Sequence, residues 1–154
     1  MTDLFVYGTL RHIPLLEIVL GRPASQIDFA TADLVDHAAL AAVEGPFPLI
    51  ALQTGYVQTG LVLNSLDNLD LERLNFYEGG FDYTLERKIT SDGQGVDVYF
   101  PPLYGVTADG LWSLATWEAK WAPLSCIAAR EVMSFFGEHS AQDIIRMFPM
   151  IRAR

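Results

Sequence analysis

Near the amino terminus the chain reads Leu4-Phe5-Val6-Tyr7-Gly8-Thr9-Leu10-Arg11. Leu4–Tyr7 is a short apolar run rich in aromatic and β-branched residues, which predicts a buried first strand ended by Gly8. Just downstream, Ile13–Leu20 carries Pro14 near its start and Gly21 just past its end, the asymmetry of a short helix. Asp28–Val35 and Ala38–Val43 are weaker strand candidates because of their alanine content. After a Gly45-Pro46-Phe47-Pro48 turn, Phe47–Gln53, Gly55–Gln58 and Thr59–Asn64 are β-prone and punctuated by glycine, which predicts consecutive strands. The period then becomes helical. Leu66, Leu69, Leu71, Leu74 and Tyr77 share a face, Ser65 or Asp67 is the candidate N-cap, and Gly79-Gly80 is the stop. Tyr83–Thr90 and Val96–Phe100 alternate around a Ser91–Gly95 turn as a hairpin, and Pro101-Pro102 closes the sheet region. From Leu111 the character is helical: Trp112–Trp121, Leu124–Phe136 and Ala141–Met147, separated or ended by Pro123, Gly137 and Pro149. The fold class is therefore α+β. A mixed β unit with two embedded helices spans 1–110, and a helical extension over 111–154 packs on it.

Composition narrows the function. At 154 residues with 51% hydrophobic and 19% charged side chains, the chain can bury one sizeable core. Its net charge of −9 argues against nucleic acid, because phosphate recognition needs a basic footprint, and against an anionic membrane surface. Cys126 is the single cysteine, so there is no intrachain disulfide and no CxxC zinc pattern. His12, His37 and His139 are scattered without a metal-binding spacing, so a metal site is not expected. Met1-Thr2-Asp3 lacks the basic start of a signal peptide, and no apolar run is long enough to span a bilayer. The expected setting is a reducing cytoplasm.

Two stretches could carry chemistry. In Tyr7-Gly8-Thr9-Leu10-Arg11, a glycine after a buried strand lets the backbone turn sharply and present successive N–H groups to an anion, a carboxylate as readily as a phosphate. From spacing alone a plain strand-ending turn is the commoner reading, and Gly8 stands outside any Walker or GxGxxG pattern. The second is Glu78 in Phe76-Tyr77-Glu78-Gly79-Gly80. In the last turn of a helix a carboxylate meets the negative end of the macrodipole, and Phe76, Tyr77 and Phe81 could strip it of water. Both effects favour the neutral acid and suit a general acid/base near neutrality, whereas local sequence alone reads more simply as a solvated glutamate before a C-cap. Other residues are weaker. Cys126 reads as a core thiol and His37 lacks a nucleophile motif. His12 reads as a surface residue, and Asp67–Glu72 as a solvated helix face. Trp112, Trp117 and Trp121 read as packing residues.

The strand ending Phe-Val-Tyr-Gly-Thr-Leu-Arg, a leucine-rich short helix leading to Tyr77-Glu78-Gly79, and then Tyr83 with a hairpin together resemble the γ-glutamylcyclotransferase family, in particular its AIG2-like branch. The likeness covers about residues 3–101. It implies a small mixed β-barrel flanked by helices. It also implies an enzyme that closes a γ-glutamyl amide to 5-oxoproline and releases an amine, with no cofactor. By the same likeness Glu78 matches the catalytic glutamate. Tyr7, Gly8, Thr9 and Leu10, with Arg11 beside them, match the substrate-holding loop, and Tyr83 matches an aromatic residue after the glutamate. Two positions depart from the family pattern: Asn75 stands where an aspartate is common, and Leu85 where an arginine is common. The partner is then a small γ-glutamyl substrate. Two readings from other classes stand beside this one. The first is a non-catalytic binding module whose tail (Trp112, Trp117, Trp121, Met133, Phe135, Phe136) docks a partner or a second copy as a homodimer. The other is a γ-glutamyl acyltransferase using the same pocket.

Overall fold

The computed structural model describes residues 1–78, 83–101 and 108–137. Strands β1 (Thr2–Val6), β2 (Phe29–Ala42), β3 (Pro48–Leu66), β4 (Thr84–Ile89), β5 (Gly95–Phe100) and β6 (Ala108–Leu111) form one mixed sheet in the order β4-β5-β1-β3-β2-β6, curled into a half-barrel. Helices α1 (Ile13–Leu20), α2 (Asn68–Glu78) and α3 (Leu114–Ser134) accompany it, as the α+β expectation required.

β1 is central. It runs antiparallel to β3, with Phe5 opposite Val62, and parallel to β5, with Phe5 opposite Val98. A central strand is buried on both faces, which explains why Leu4–Tyr7 is uniformly apolar rather than alternating. Leu4 and Val6 join the helices in one core with Leu15, Leu16, Val19 and Trp117. Phe5 and Tyr7 point into the curl with Leu34, Ile50, Val62, Val96 and Val98. The close approach of β1 to β3 needs a glycine. A Cβ on Gly60 would lie 2.4 Å from the Val6 carbonyl oxygen and 2.6 Å from the Phe5 ring.

Helix α1 is eight residues long, too short to persist alone, so its stability comes from its fully buried Leu15, Leu16 and Val19. Each such side chain contributes roughly 1.5–3 kcal/mol. Its limits, with Pro14 in the first turn and Gly21 as the cap, are those expected.

The structure corrects several expectations. The two weak strands at 28–43 are one strand, β2, and the three segments at 47–64 are one strand, β3. The glycine signal at Gly55 marks an irregularity within the ladder instead of a strand end. Between the pairs Val35–Val57 and His37–Leu52, Asp36 faces the whole stretch Gln53–Tyr56, and its carboxylate accepts the Gly55 N–H at 3.0 Å. The sheet also continues past Pro101, because β6 adds to the β2 edge with Leu111 opposite Leu40. Pro123 does not divide two helices but lies inside α3. It is exposed, and the buried residues on either side, Trp117, Ala122, Cys126 and Ala129, hold the helix together across it. Of the two candidate caps for α2, Asp67 serves: it accepts the Asp70 N–H at 2.9 Å, and Asp70 accepts the Asp67 N–H at 3.1 Å. Asp70 is also not on a solvated face. It is 3% exposed and accepts two hydrogen bonds from the Arg22 guanidinium, at 2.7 and 3.1 Å. The expected stop at Gly79-Gly80, the Pro102 part of the sheet end and the helix at 141–147 lie outside the described residues.

Candidate active site

Because β1 and β5 are parallel, their carboxyl ends emerge side by side, and a pocket opens there. It encloses about 490 Å³, part of it continuous with solvent. Each wall comes from a different element. The end of β1 supplies Tyr7, and the 3-10 turn Thr9–Arg11 that follows supplies Thr9 and Leu10. The β2–β3 turn brings Phe47 and Pro48, β5 brings Tyr99, and Tyr83 stands just before β4. Glu78, the last residue of α2, brings the pocket's carboxylate. The two stretches singled out in the sequence therefore meet, across some seventy residues of chain, in one cavity.

The loop geometry follows from sterics. Gly8 packs against Pro48 so tightly that a Cβ there would sit 2.6 Å from Pro48 Cγ and 3.2 Å from Cδ. The turn closes with Arg11 N–H donating to the Gly8 carbonyl and His12 N–H donating to the Thr9 carbonyl, each at 3.0 Å. The N–H groups of Thr9 and Leu10 head that turn, which itself offers them no acceptor.

The phenols are rigidly placed. Tyr7 donates from its hydroxyl to the Tyr99 carbonyl at 2.8 Å, tying β1 to β5. Tyr99 donates in turn to Asn75 Oδ1 at 2.5 Å. Asn75 precedes Glu78 by one turn of α2, so the position that departs from the family's aspartate holds a pocket tyrosine. Burial pushes the Tyr7 hydroxyl well above its ordinary pKa, with Tyr83 and Glu78 adding to the rise. Burial and then the charges of Glu78 and Asp97 push Tyr99 up as well. Both phenols are therefore neutral donors at physiological pH, within the field of Glu78. The ring of Tyr83 stands 6.1 Å from that of Tyr99.

Sequence reading placed Tyr7, Gly8, Thr9, Leu10, Glu78 and Tyr83 at a site, and all six line this pocket. Arg11, grouped with them, does not. It is half-buried toward α3, where burial lowers its pKa and Glu118 counters the drop. His12 is likewise no free surface residue: its Nδ1–H donates to Glu118 Oε2 at 2.6 Å. Phe5 and Val6 of β1, together with Phe47, Pro48 and Tyr99, also line the pocket and were missed. Of those outside β1, only Tyr99 left a trace in the sequence, as an aromatic out of phase with Val96 and Val98 in the β5 alternation. Leu85 is 48% exposed, and Arg87 reaches Asp97 at 3.3 Å on the outer sheet, away from the pocket lining. Cys126 is a buried core thiol whose pKa is raised by burial. Among the described residues no cluster of His, Cys, Asp or Glu could hold a metal, and no helix is long and apolar enough to cross a membrane. The large apolar residues of the tail are in use: Trp117 and Met133 are buried, while Trp112, Trp121, Phe135 and Phe136 pack against the same core.

The sequence profile of the gamma-glutamyl cyclotransferase, AIG2-like family matches residues 4–119. The chain belongs to this family. The match begins in β1 and runs into α3, so it takes in every element that walls the pocket. Solved structures share the AIG2-like fold. One Arabidopsis thaliana protein determined in solution is 18% identical with a TM-score of 0.58, covering 89% of this chain and 93% of its own. A second from Arabidopsis thaliana is 19% identical with a TM-score of 0.56, covering 87% and 82%. An uncharacterized Homo sapiens protein is 15% identical with a TM-score of 0.53, covering 94% and 98%. No curated protein matches the chain. Cyclotransferase-type chemistry is thus the general activity of the family to which this AIG2-like chain belongs.

Proposed function

We propose that the protein cyclises a γ-glutamyl amide to 5-oxoproline and releases an amine, with Glu78 as general acid/base. The observation that carries this reading is the pairing, in one pocket, of the Glu78 carboxylate with the main-chain turn after β1. A γ-glutamyl amide contains its own nucleophile, so the protein must fold the substrate and move protons. Glu78 takes a proton from the substrate α-ammonium. The freed amine attacks the γ-carbonyl carbon, forming the lactam C–N bond. The bond to the leaving nitrogen breaks as that nitrogen receives the proton from Glu78. The attacking nitrogen then gives its second proton to the restored carboxylate, which passes it to the departing amine, so that the products are the neutral lactam and an ammonium. No oxidant, metal or acyl-enzyme enters this balance. The N–H groups of Thr9 and Leu10 suit the substrate α-carboxylate or the developing oxyanion, and the neutral Tyr7 and Tyr99 hydroxyls stiffen the wall against which the chain curls.

The test is release of 5-oxoproline from a panel of γ-glutamyl amides by wild-type protein and by Glu78→Gln. The expected loss is ~10²–10⁴-fold in kcat at unchanged Tm. Full activity in Glu78→Gln would remove the mechanism. Free glutamate or a transferred glutamyl group in place of the lactam would instead assign the pocket to hydrolysis or acyl transfer.

A further inference from the structure

The loop that lines the pocket is held at both ends by contacts distant in sequence. At one end Gly8 is wedged on Pro48. At the other, His12 ends the 3-10 turn and begins α1: its N–H donates to the Thr9 carbonyl at 3.0 Å, and its carbonyl accepts the N–H groups of Leu15 and Leu16 at 3.0 and 3.1 Å. A residue in that N-cap position ordinarily turns its side chain back to accept a helix N–H. His12 makes no such cap. Its imidazole reaches across to α3 instead, where Nδ1–H donates to Glu118 Oε2 at 2.6 Å and the ring stands edge-on to Trp117 at 5.7 Å. Trp117 is 2% exposed, so this face of α3 is anchored in the core. Arg11, the next residue back, also lies in the field of Glu118. Only Thr9 and Leu10 separate these two residues from Gly8, and both line the pocket.

We propose that Glu118 is a positioning residue for the pocket loop and acts through His12. In this arrangement α3 completes a site whose other walls come from the sheet, the β2–β3 turn and α2. A charge-assisted hydrogen bond at 2.6 Å to a partly buried imidazole fixes the end of the turn, and with it the direction in which the Thr9 and Leu10 N–H groups face. The effect on turnover rests on the reading of this loop as the seat of the γ-glutamyl group. The mechanical effect on the loop does not.

The experiment compares wild-type protein with Glu118→Ala, Glu118→Gln, His12→Ala and the double variant His12→Ala/Glu118→Ala. Amide hydrogen exchange is read over residues 8–12, with residues 61–66 of β3 as the core reference. Steady-state kinetics on a γ-glutamyl amide run alongside. Glu118→Ala should speed exchange in 8–12 by ~10-fold or more, the size of one lost charge-assisted hydrogen bond, with 61–66 unchanged. KM should rise by a similar factor while kcat holds, because substrate seating rather than proton transfer is disturbed. Glu118→Gln, whose amide oxygen still accepts from Nδ1–H, should recover most of the loss. The double variant should be no worse than His12→Ala, since both changes break the same link. Unchanged exchange in 8–12, additive losses, or a rise that includes 61–66 equally would overturn the proposal, the last by making Glu118 a general stability residue. Wild-type protein that turns over no γ-glutamyl amide would bring down the functional reading alone, and the exchange result would still decide the clamp.

Discussion

Replacing Gly8 with alanine tests the pocket loop directly. The added Cβ would fall 2.6 Å from Pro48 Cγ and 3.2 Å from Pro48 Cδ. Carbon atoms rest at about 3.5–4.0 Å, so the first contact is short by roughly 1 Å. A change of ring pucker moves Cγ but leaves Cδ too close. Pro48 cannot retreat freely, because it opens β3 opposite Ala41 and is buried beside Phe47 and Leu49. The loop must therefore yield by something near 1 Å. Overpacking of this kind costs ~1–3 kcal/mol of stability. A displacement of that size at a substrate-binding turn costs about 10²-fold in rate. Urea denaturation measures the first, and kcat/KM for 5-oxoproline release the second. Pro48→Ala removes Cγ and Cδ, so in the Gly8→Ala background it should restore part of both losses. Gly8→Ala protein with wild-type stability and kcat/KM within about threefold of normal would show that the contact does not set the loop, and the steric reasoning would fail.

Three further outcomes follow from the packing. Asp70→Ala leaves the half-buried Arg22 guanidinium without its carboxylate and removes the reciprocal cap of α2. The expected loss is ~3 kcal/mol and a Tm lower by roughly 6–12 °C, and a loss under about 1 kcal/mol would mean the pair is solvated after all. Tyr7 is raised above its ordinary value of 10.0 in the folded protein, so its contribution is complete below pH 10 and is lost as alkali ionises the unfolded chain first. Stability followed by circular dichroism should fall from about pH 10 upward, and Tyr7→Phe should flatten that limb; an identical alkaline limb in the variant would assign the loss to other groups. Pro123→Ala restores an N–H to the Ala119 carbonyl on the exposed side of α3 and should stabilise by ~1–2 kcal/mol after the added freedom of the unfolded chain is subtracted. No gain would mean that α3 is already bent to satisfy that carbonyl by other means.

Elements governed by local physics were legible in the chain itself. The Pro14 and Gly21 pair bounded α1 to the residue, the 83–100 alternation showed its hairpin, and the continuous apolar run at 4–7 marked a strand covered on both sides. Where a local signal had two meanings, it misled. Gly55 and Pro123 read as ends because glycine and proline usually end elements, whereas here the long ladder between β2 and β3 and the buried face of α3 outweigh a single weak residue. Asp70 read as solvated because its partner, Arg22, lies 48 residues away.

By itself the sequence determined which residues could do chemistry: a turn with a glycine that frees its main chain, a glutamate at a helix end, and aromatic side chains near both. Only the tertiary structure decided that they face one another. That depends on β1 and β5 lying parallel, on α2 ending beside them, and on Pro48 and Glu118 arriving from distant parts of the chain to hold the turn. Such meetings are set by sheet order and packing, which no local window of residues encodes.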